Sequence, residues 1–199
     1  MTLLKTTIAV LSTIALAAAT SACAPNNNER AANPDQPNAT LQSDQTVAQS
    51  RSTISTLDNQ FANQAGEAGL TEVQLGQLAV ERAGSSEVKQ YAQEMIQEHT
   101  QANNELKQLA AQKGITLPQT LNQQHQTAKA NLSSLSGAAF DRAYMDLMKQ
   151  DHAKVVSLFQ QQANQGQDPD LKNWAAKTLP TLQEHKQMAQ SVSNDVTEK

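Results

Sequence analysis

Four long stretches between Asp58 and Val192 repeat their apolar residues at helical spacing, and each carries an ionisable side chain on its apolar line. In the second stretch Val88, Ala92, Met95, His99, Ala102, Leu106 and Leu109 fall on one face at about 100° per residue, with His99 at the centre. The first places Glu72 between Phe61, Ala65, Ala68 and Leu75, Ala79, Ala83. The third places Asp151 after Phe140, Tyr144 and Leu147 and before Val155 and Leu158. The fourth sets His185 among Leu171, Ala175, Thr178, Leu182 and Ala189. A polar group in the middle of a buried stripe needs partners. The pattern therefore predicts a helical bundle with a polar centre.

Turn signals set the boundaries. Asp58 is the expected N-cap of the first helix, and Gly66 and Gly69 are expected to interrupt or kink it. Gly84-Ser85-Ser86 closes that helix, with Ser86 as the cap of the second, which runs to about Lys113 before Gly114 and Leu117-Pro118. Residues 119–133 read as a polar crossover helix, broken by Ser136-Gly137. The third main helix covers about Ala138 to Asn164 and the fourth about Asp170 to Val192, with a kink expected at Pro180. Glu72 and His99 lie about equally far from the first turn, roughly 18 to 20 Å at 1.5 Å per residue. Asp151 and His185 repeat this spacing about the turn at Gly166-Gln167-Asp168-Pro169. All four should share one layer. His152 stands about 100° round from Asp151, at the margin of the stripe, from where it can still turn inward.

Composition agrees with an all-α class: only 3% of residues are aromatic, and Gly and Pro are scarce. Formal net charge is -4, and the only charged side chain of residues 1–22 is Lys5, so the remainder is more acidic still. Neither nucleic acid nor an anionic membrane surface would attract it electrostatically. Residues 1–22 read as a signal peptide, with Lys5, an apolar run from Ile8 to Ala19, and small residues Thr20-Ser21-Ala22. The single cysteine, Cys23, follows and resembles the cysteine of a bacterial lipobox, although Thr20 stands where Leu is usual. A lipidated Cys23 would anchor the chain to the periplasmic face of the outer membrane. Plain cleavage after Ala22 would leave a soluble periplasmic protein with a free thiol. Residues 23–56 form a polar tether too poor in apolar side chains to fold, spanning on the order of 30 Å as a coil. The folded domain is placed at 57–194, with 195–199 as a tail.

Five ordered motifs carry a family resemblance. They are Leu70-Thr71-Glu72-Val73-Gln74-Leu75-Gly76, Glu98-His99, Phe140-Asp141-Arg142-Ala143-Tyr144-Met145, Asp151-His152, and Thr178-Leu179-Pro180-Thr181-Leu182-Gln183-Glu184-His185. Together they resemble the domain-of-unknown-function 4142 family, with Glu98 where that family's pattern has Asp. The resemblance implies an exported bacterial protein with a ferritin-like four-helix bundle and a short crossover helix between the second and third main helices. It transfers no catalytic role.

A ferritin-like di-iron site takes a Glu-x-x-His from each of two helices, and this chain has Ile96, Lys149 and Leu182 three residues before His99, His152 and His185. Two irons are disfavoured. Glu72, His99, His185 and either Asp151 or His152 could instead hold one divalent ion, of zinc, iron or manganese. Met95, Met148 and Met188 each lie within a turn of a histidine and are candidate soft ligands that would favour copper, although methionine more often fills helical cores. Equally, the layer can be a self-satisfied network of imidazole and carboxylate without metal. Glu98, Glu184 and His125 read as solvated surface, Asp141 with Arg142 as a helix-start ion pair, and Tyr144 and Trp174 as core side chains with a polar edge. No nucleophile elbow, phosphate loop, Cys-x-x-Cys or His-Glu-x-x-His is present. Two classes follow: a non-enzymatic envelope protein serving stress tolerance or metal handling, and a metal-dependent redox enzyme using the same layer.

Overall fold

Ser55 rather than Asp58 starts the folded part, because the two form a reciprocal cap. Ser55 Oγ accepts from the Asp58 N–H at 3.1 Å and donates to Asp58 Oδ2 at 2.6 Å. From there α1 runs over Thr56–Arg82, followed by α2 (Ser86–Lys113), α3 (Gln123–Ser133), α4 (Gly137–Gln165) and α5 (Pro169–Thr197). This computed structural model describes residues 54–198, all within one compact unit, and no strand occurs among them. The expected signal peptide, Cys23 and the tether as far as residue 53 lie outside the described residues. The tail expected at 195–199 is shorter, since α5 continues to Thr197.

Local chemistry explains several of the helix ends. Ser85, not Ser86, caps α2, its Oγ accepting from the N–H groups of Glu87 and Val88. Gly114 closes α2 at φ 68°, a left-handed conformation that costs glycine nothing. Asn122 and Asp168 cap α3 and α5. The expected breaks in α1 do not occur. A Cβ on Gly69 would overlap the Asn103 side chain, and one on Gly76 would lie 2.9 Å from Ile96 Cγ1 and 3.1 Å from the Ala92 carbonyl. These glycines let α1 and α2 approach closely. Helix α5 likewise continues through Pro180, which is exposed, as is Ala176, whose carbonyl loses its donor.

The helices pair as two antiparallel hairpins, α1–α2 and α4–α5, with α1 against α4 and α2 against α5, while α3 lies across α1 and α4. Each hairpin's turn is held by an aspartate of the other. Asp58 accepts from the N–H groups of Gln167 and Asp168 at 3.1 and 3.0 Å, and Asp141 accepts from those of Gly84 and Ser85 at 3.0 and 2.9 Å. Asp141 is thus buried in a turn rather than paired with Arg142, which is exposed. Burial alone would raise the Asp58 carboxyl, but bonds from Ser55, Gln162, Asp168 and Gln167 outweigh it and hold it below the usual range.

The core has two apolar clusters. One contains Leu75, Tyr91, Met95, Tyr144, Met148 and Ala189, and the other Phe61, Leu106, Val156, Phe159, Trp174 and Leu182. On each main helix a buried ionisable residue separates them: Glu72, His99, His152 and His185. On α4 the deepest line runs through Met145, Met148, His152, Val156 and Phe159, whereas Leu147, Val155 and Leu158 are only partly buried. His152, not Asp151, therefore occupies the layer.

Candidate metal centre

Three helices bring three imidazoles together, edge-on or tilted to one another. The ring centroids lie 5.7 Å apart for His99–His152, 5.2 Å for His99–His185 and 5.5 Å for His152–His185. One nitrogen from each ring lies within 4.8 Å of the other two. The hydrogen bonds on the far side of two rings fix which nitrogen is bare. His152 Nδ1 donates to the Met148 carbonyl at 3.0 Å, since a carbonyl can only accept, so its Nε2 carries no proton when the ring is neutral. His185 Nε2 donates to Glu98 Oε2 at 2.8 Å, which leaves Nδ1 as an acceptor. His152 Nε2, His185 Nδ1 and His99 Nε2 are buried and have no partner.

Burial holds all three rings neutral. It depresses His152 and His185 to about 4, helped at His152 by the His185 charge and opposed at His185 by Glu184. His99 is pushed well below its ordinary value by burial and then by the other two imidazoles. Neutral imidazoles with unpaired nitrogens close together are what a metal ligand set requires. Zinc–nitrogen bonds of roughly 2.1 Å at tetrahedral angles space such nitrogens about 3.4 Å apart, so nitrogens up to 4.8 Å apart would close by at most about 1.4 Å on an ion.

The remaining sequence candidates take different places. Glu72 is buried beside the layer, with Oε1 3.8 Å from His152 Nδ1 and Oε2 unpaired, and burial plus the Asp151 charge raise its carboxyl to about 8. Asp151 is buried but turns towards α3: its Oδ1 pairs with Lys154 at 2.9 Å and its Oδ2 lies 3.5 Å from His125 Nε2. Met95 and Met148 are buried in the first apolar cluster and Met188 packs against it. Tyr144 and Trp174 are core side chains whose polar atoms lack partners.

Two residues expected at the solvated surface are structural partners instead. Glu98 reaches across the α2–α5 seam to His185. His125 is partly buried, its Nδ1 2.7 Å from Glu67 Oε1 and 3.3 Å from Thr71 Oγ1. Glu67 and Tyr91, whose hydroxyl lies 3.5 Å from His152 Nδ1, carry no signal in the helical pattern, because their importance comes from neighbouring helices.

Similarity to known proteins fits this architecture. The structure resembles a DUF305 fragment from Deinococcus radiodurans at TM-score 0.64 and 15% identity, covering 71% of this chain and 98% of that one. It also resembles a DUF305 protein from Streptomyces coelicolor at TM-score 0.60 and 14% identity, covering 71% and 94%. At such identities the likeness establishes the all-α bundle fold alone. No curated protein matches the chain. The model of the domain of unknown function DUF4142 matches residues 43–192, spanning all five motifs and the whole polar layer, and the chain belongs to that family.

Proposed function

We propose that this is an exported cell-envelope protein whose bundle binds one transition-metal ion through His99, His152 and His185, serving metal handling rather than catalysis. The observation that carries the reading is that each of three clustered imidazoles has a buried nitrogen without a partner, with one nitrogen of each ring within 4.8 Å of the other two. Three neutral imidazoles suit zinc or copper, and iron or manganese less well. Glu98 and the Met148 carbonyl would act as the outer partners that orient ligating imidazoles and raise their basicity. A metal so enclosed is stored or passed on more readily than it is offered to a large substrate. Export is supported by the leader-like residues 1–22, and Cys23 supplies a lipid anchor to the outer membrane in this reading. The neighbour from Streptomyces coelicolor carries secretion in its name, and among the described residues no helix is long and apolar enough to cross a membrane.

Calorimetric titration with zinc and with copper tests this. One equivalent should bind, and His99→Ala or His185→Ala should weaken it by roughly a thousandfold, about 4 kcal/mol. Protein that takes up no metal, and melts identically with and without chelator, would sink the proposal.

A further inference from the structure

His99, His152 and His185 are 6%, 1% and 1% exposed, so an ion reaches them only where neighbouring side chains make way. Two hollows bear on where that is. A cavity of about 30 Å³, room for about one water molecule, is lined by both His99 and His185, each of which has a buried nitrogen without a partner. Glu98, Ala102, Thr178 and Thr181 line it too, and the same four residues line a depression of about 230 Å³ on the α2–α5 surface. Three small side chains and one carboxylate therefore stand between that depression and the imidazoles. A further hollow of about 260 Å³ between α1, α3 and α4 is lined by none of the three rings.

Charge favours the same place. The Glu98 side chain is 39% exposed, yet its Oε2 lies 2.8 Å from Nε2 of the buried His185, so one carboxylate meets both water and a ligand ring. Glu94, one turn earlier on α2, is pushed up by burial and then by the charges of Glu98 and of Glu184 on α5, which marks three acids gathered at this seam. The one lysine lining the depression, Lys177, is already paired with Glu105 at 3.3 Å. Helix α2 also packs less extensively on α5 than on its hairpin partner α1, so the seam can part without opening a hairpin. Given the metal reading of the histidine centre, on which this rests, we propose that the ion enters and leaves along the α2–α5 seam, with Glu98 as the carboxylate that first takes it from water. Acids at the mouth raise the local concentration of cations, and Ala102, Thr178 and Thr181 leave little bulk to displace.

Cobalt(II) is the probe, since it takes the ligands of zinc and is coloured when so bound. Stopped-flow absorbance follows its uptake, and mixing the loaded protein with excess EDTA follows its release. A change confined to the route alters both rates alike and leaves affinity alone. Ala102→Leu or Thr181→Leu should therefore slow uptake and release by the same factor, about tenfold or more, with Kd unchanged. Either variant suffices should the other fail to fold. Glu94→Gln combined with Glu184→Gln should slow uptake severalfold at low salt, a difference that shrinks at high salt. Gln124→Trp, which narrows the hollow between α1, α3 and α4, should change neither rate. Unchanged rates in the leucine variants, wild-type uptake in the glutamine pair at low salt, or slowing in Gln124→Trp would each overturn the route while keeping the centre. Wild-type protein that takes up no cobalt would remove the centre as well.

Discussion

His125 and the three central histidines are made of the same chemistry and reach opposite outcomes. His125 has a carboxylate near each ring nitrogen, Glu67 at 2.7 Å and Asp151 at 3.5 Å, and so pins α3 to α1 and α4. Each central ring has a buried nitrogen without a partner, and the other nitrogens of His152 and His185 bond the Met148 carbonyl and Glu98. A satisfied histidine needs nothing from outside. Three unsatisfied ones, held neutral by burial, leave a deficit that a bound cation would meet. Inventory alone does not separate the cases, since both groups are histidines beside acids on helices; whether each ring nitrogen finds a partner does.

The largest difference should appear in the pH dependence of the metal-free protein. Unfolded imidazoles take protons near 6.5, whereas folded His152 and His185 resist until about 4 and His99 is likewise held well below its ordinary value. Their stabilising contribution is complete above 6.5 and is lost as pH falls towards 4. Glu72 acts in the opposite sense: raised from 4.5 to about 8, it contributes fully below 4.5 and loses that contribution as pH rises through 8. Three groups outnumber one on the acid side, so urea denaturation should find a maximum near pH 6.5 and a loss of roughly 2–4 kcal/mol by pH 5. Glu72→Gln should flatten the alkaline limb and steepen the acid one, because Glu72 offsets the imidazoles between pH 6.5 and 4.5. A profile unchanged between pH 5 and 7 would mean that the rings are hydrated rather than held neutral.

Next in size is the outer partner. Glu98→Ala frees the far nitrogen of His185, and zinc affinity measured by calorimetry should fall about 10- to 100-fold with the fold intact. His125→Ala should leave zinc affinity unchanged, and an equal loss in both variants would erase the distinction drawn here.

Smallest is the effect of removing each kind of histidine without metal present. His125→Leu breaks the bonds to Glu67 and Thr71 and should destabilise by about 1 kcal/mol in urea. His152→Leu removes a bare buried nitrogen while roughly keeping volume, and should be neutral or stabilising by about 1 kcal/mol in the metal-free protein. Opposite signs support the comparison, and equal losses would break it.

Much of this was readable from periodicity. Glu72, His99 and His185 sit mid-stripe on their own helices, and their distances from the two turns put them in one layer. Helix α4 was harder, because Leu147, Val155 and Leu158 drew the apolar line towards Asp151. The bundle centre instead follows Met148, His152 and Val156, one residue and about 100° away. Glu98, Glu67 and Asp141 were misread or passed over for a common reason. Each acts on a different helix or turn from its own, and one helix's pattern contains no information about which neighbour it will face. Glycine is a further case: Gly66 and Gly69 read as breaks, yet α1 runs through both, and the missing side chains of Gly69 and Gly76 are what allow α1 to lie against α2.

The two aspartates that close each other's turns bear on how the molecule assembles. Ser85 stands as far along the chain from Asp58 as Asp168 does from Asp141, so the halves exchange equivalent services. An isolated N-terminal half would expose the amides of Gly84 and Ser85 to water and leave Asp58 without the turn it serves, and the C-terminal half would suffer the mirror loss. Two fragments produced by cutting within α3 would each be incomplete alone and complementary when mixed.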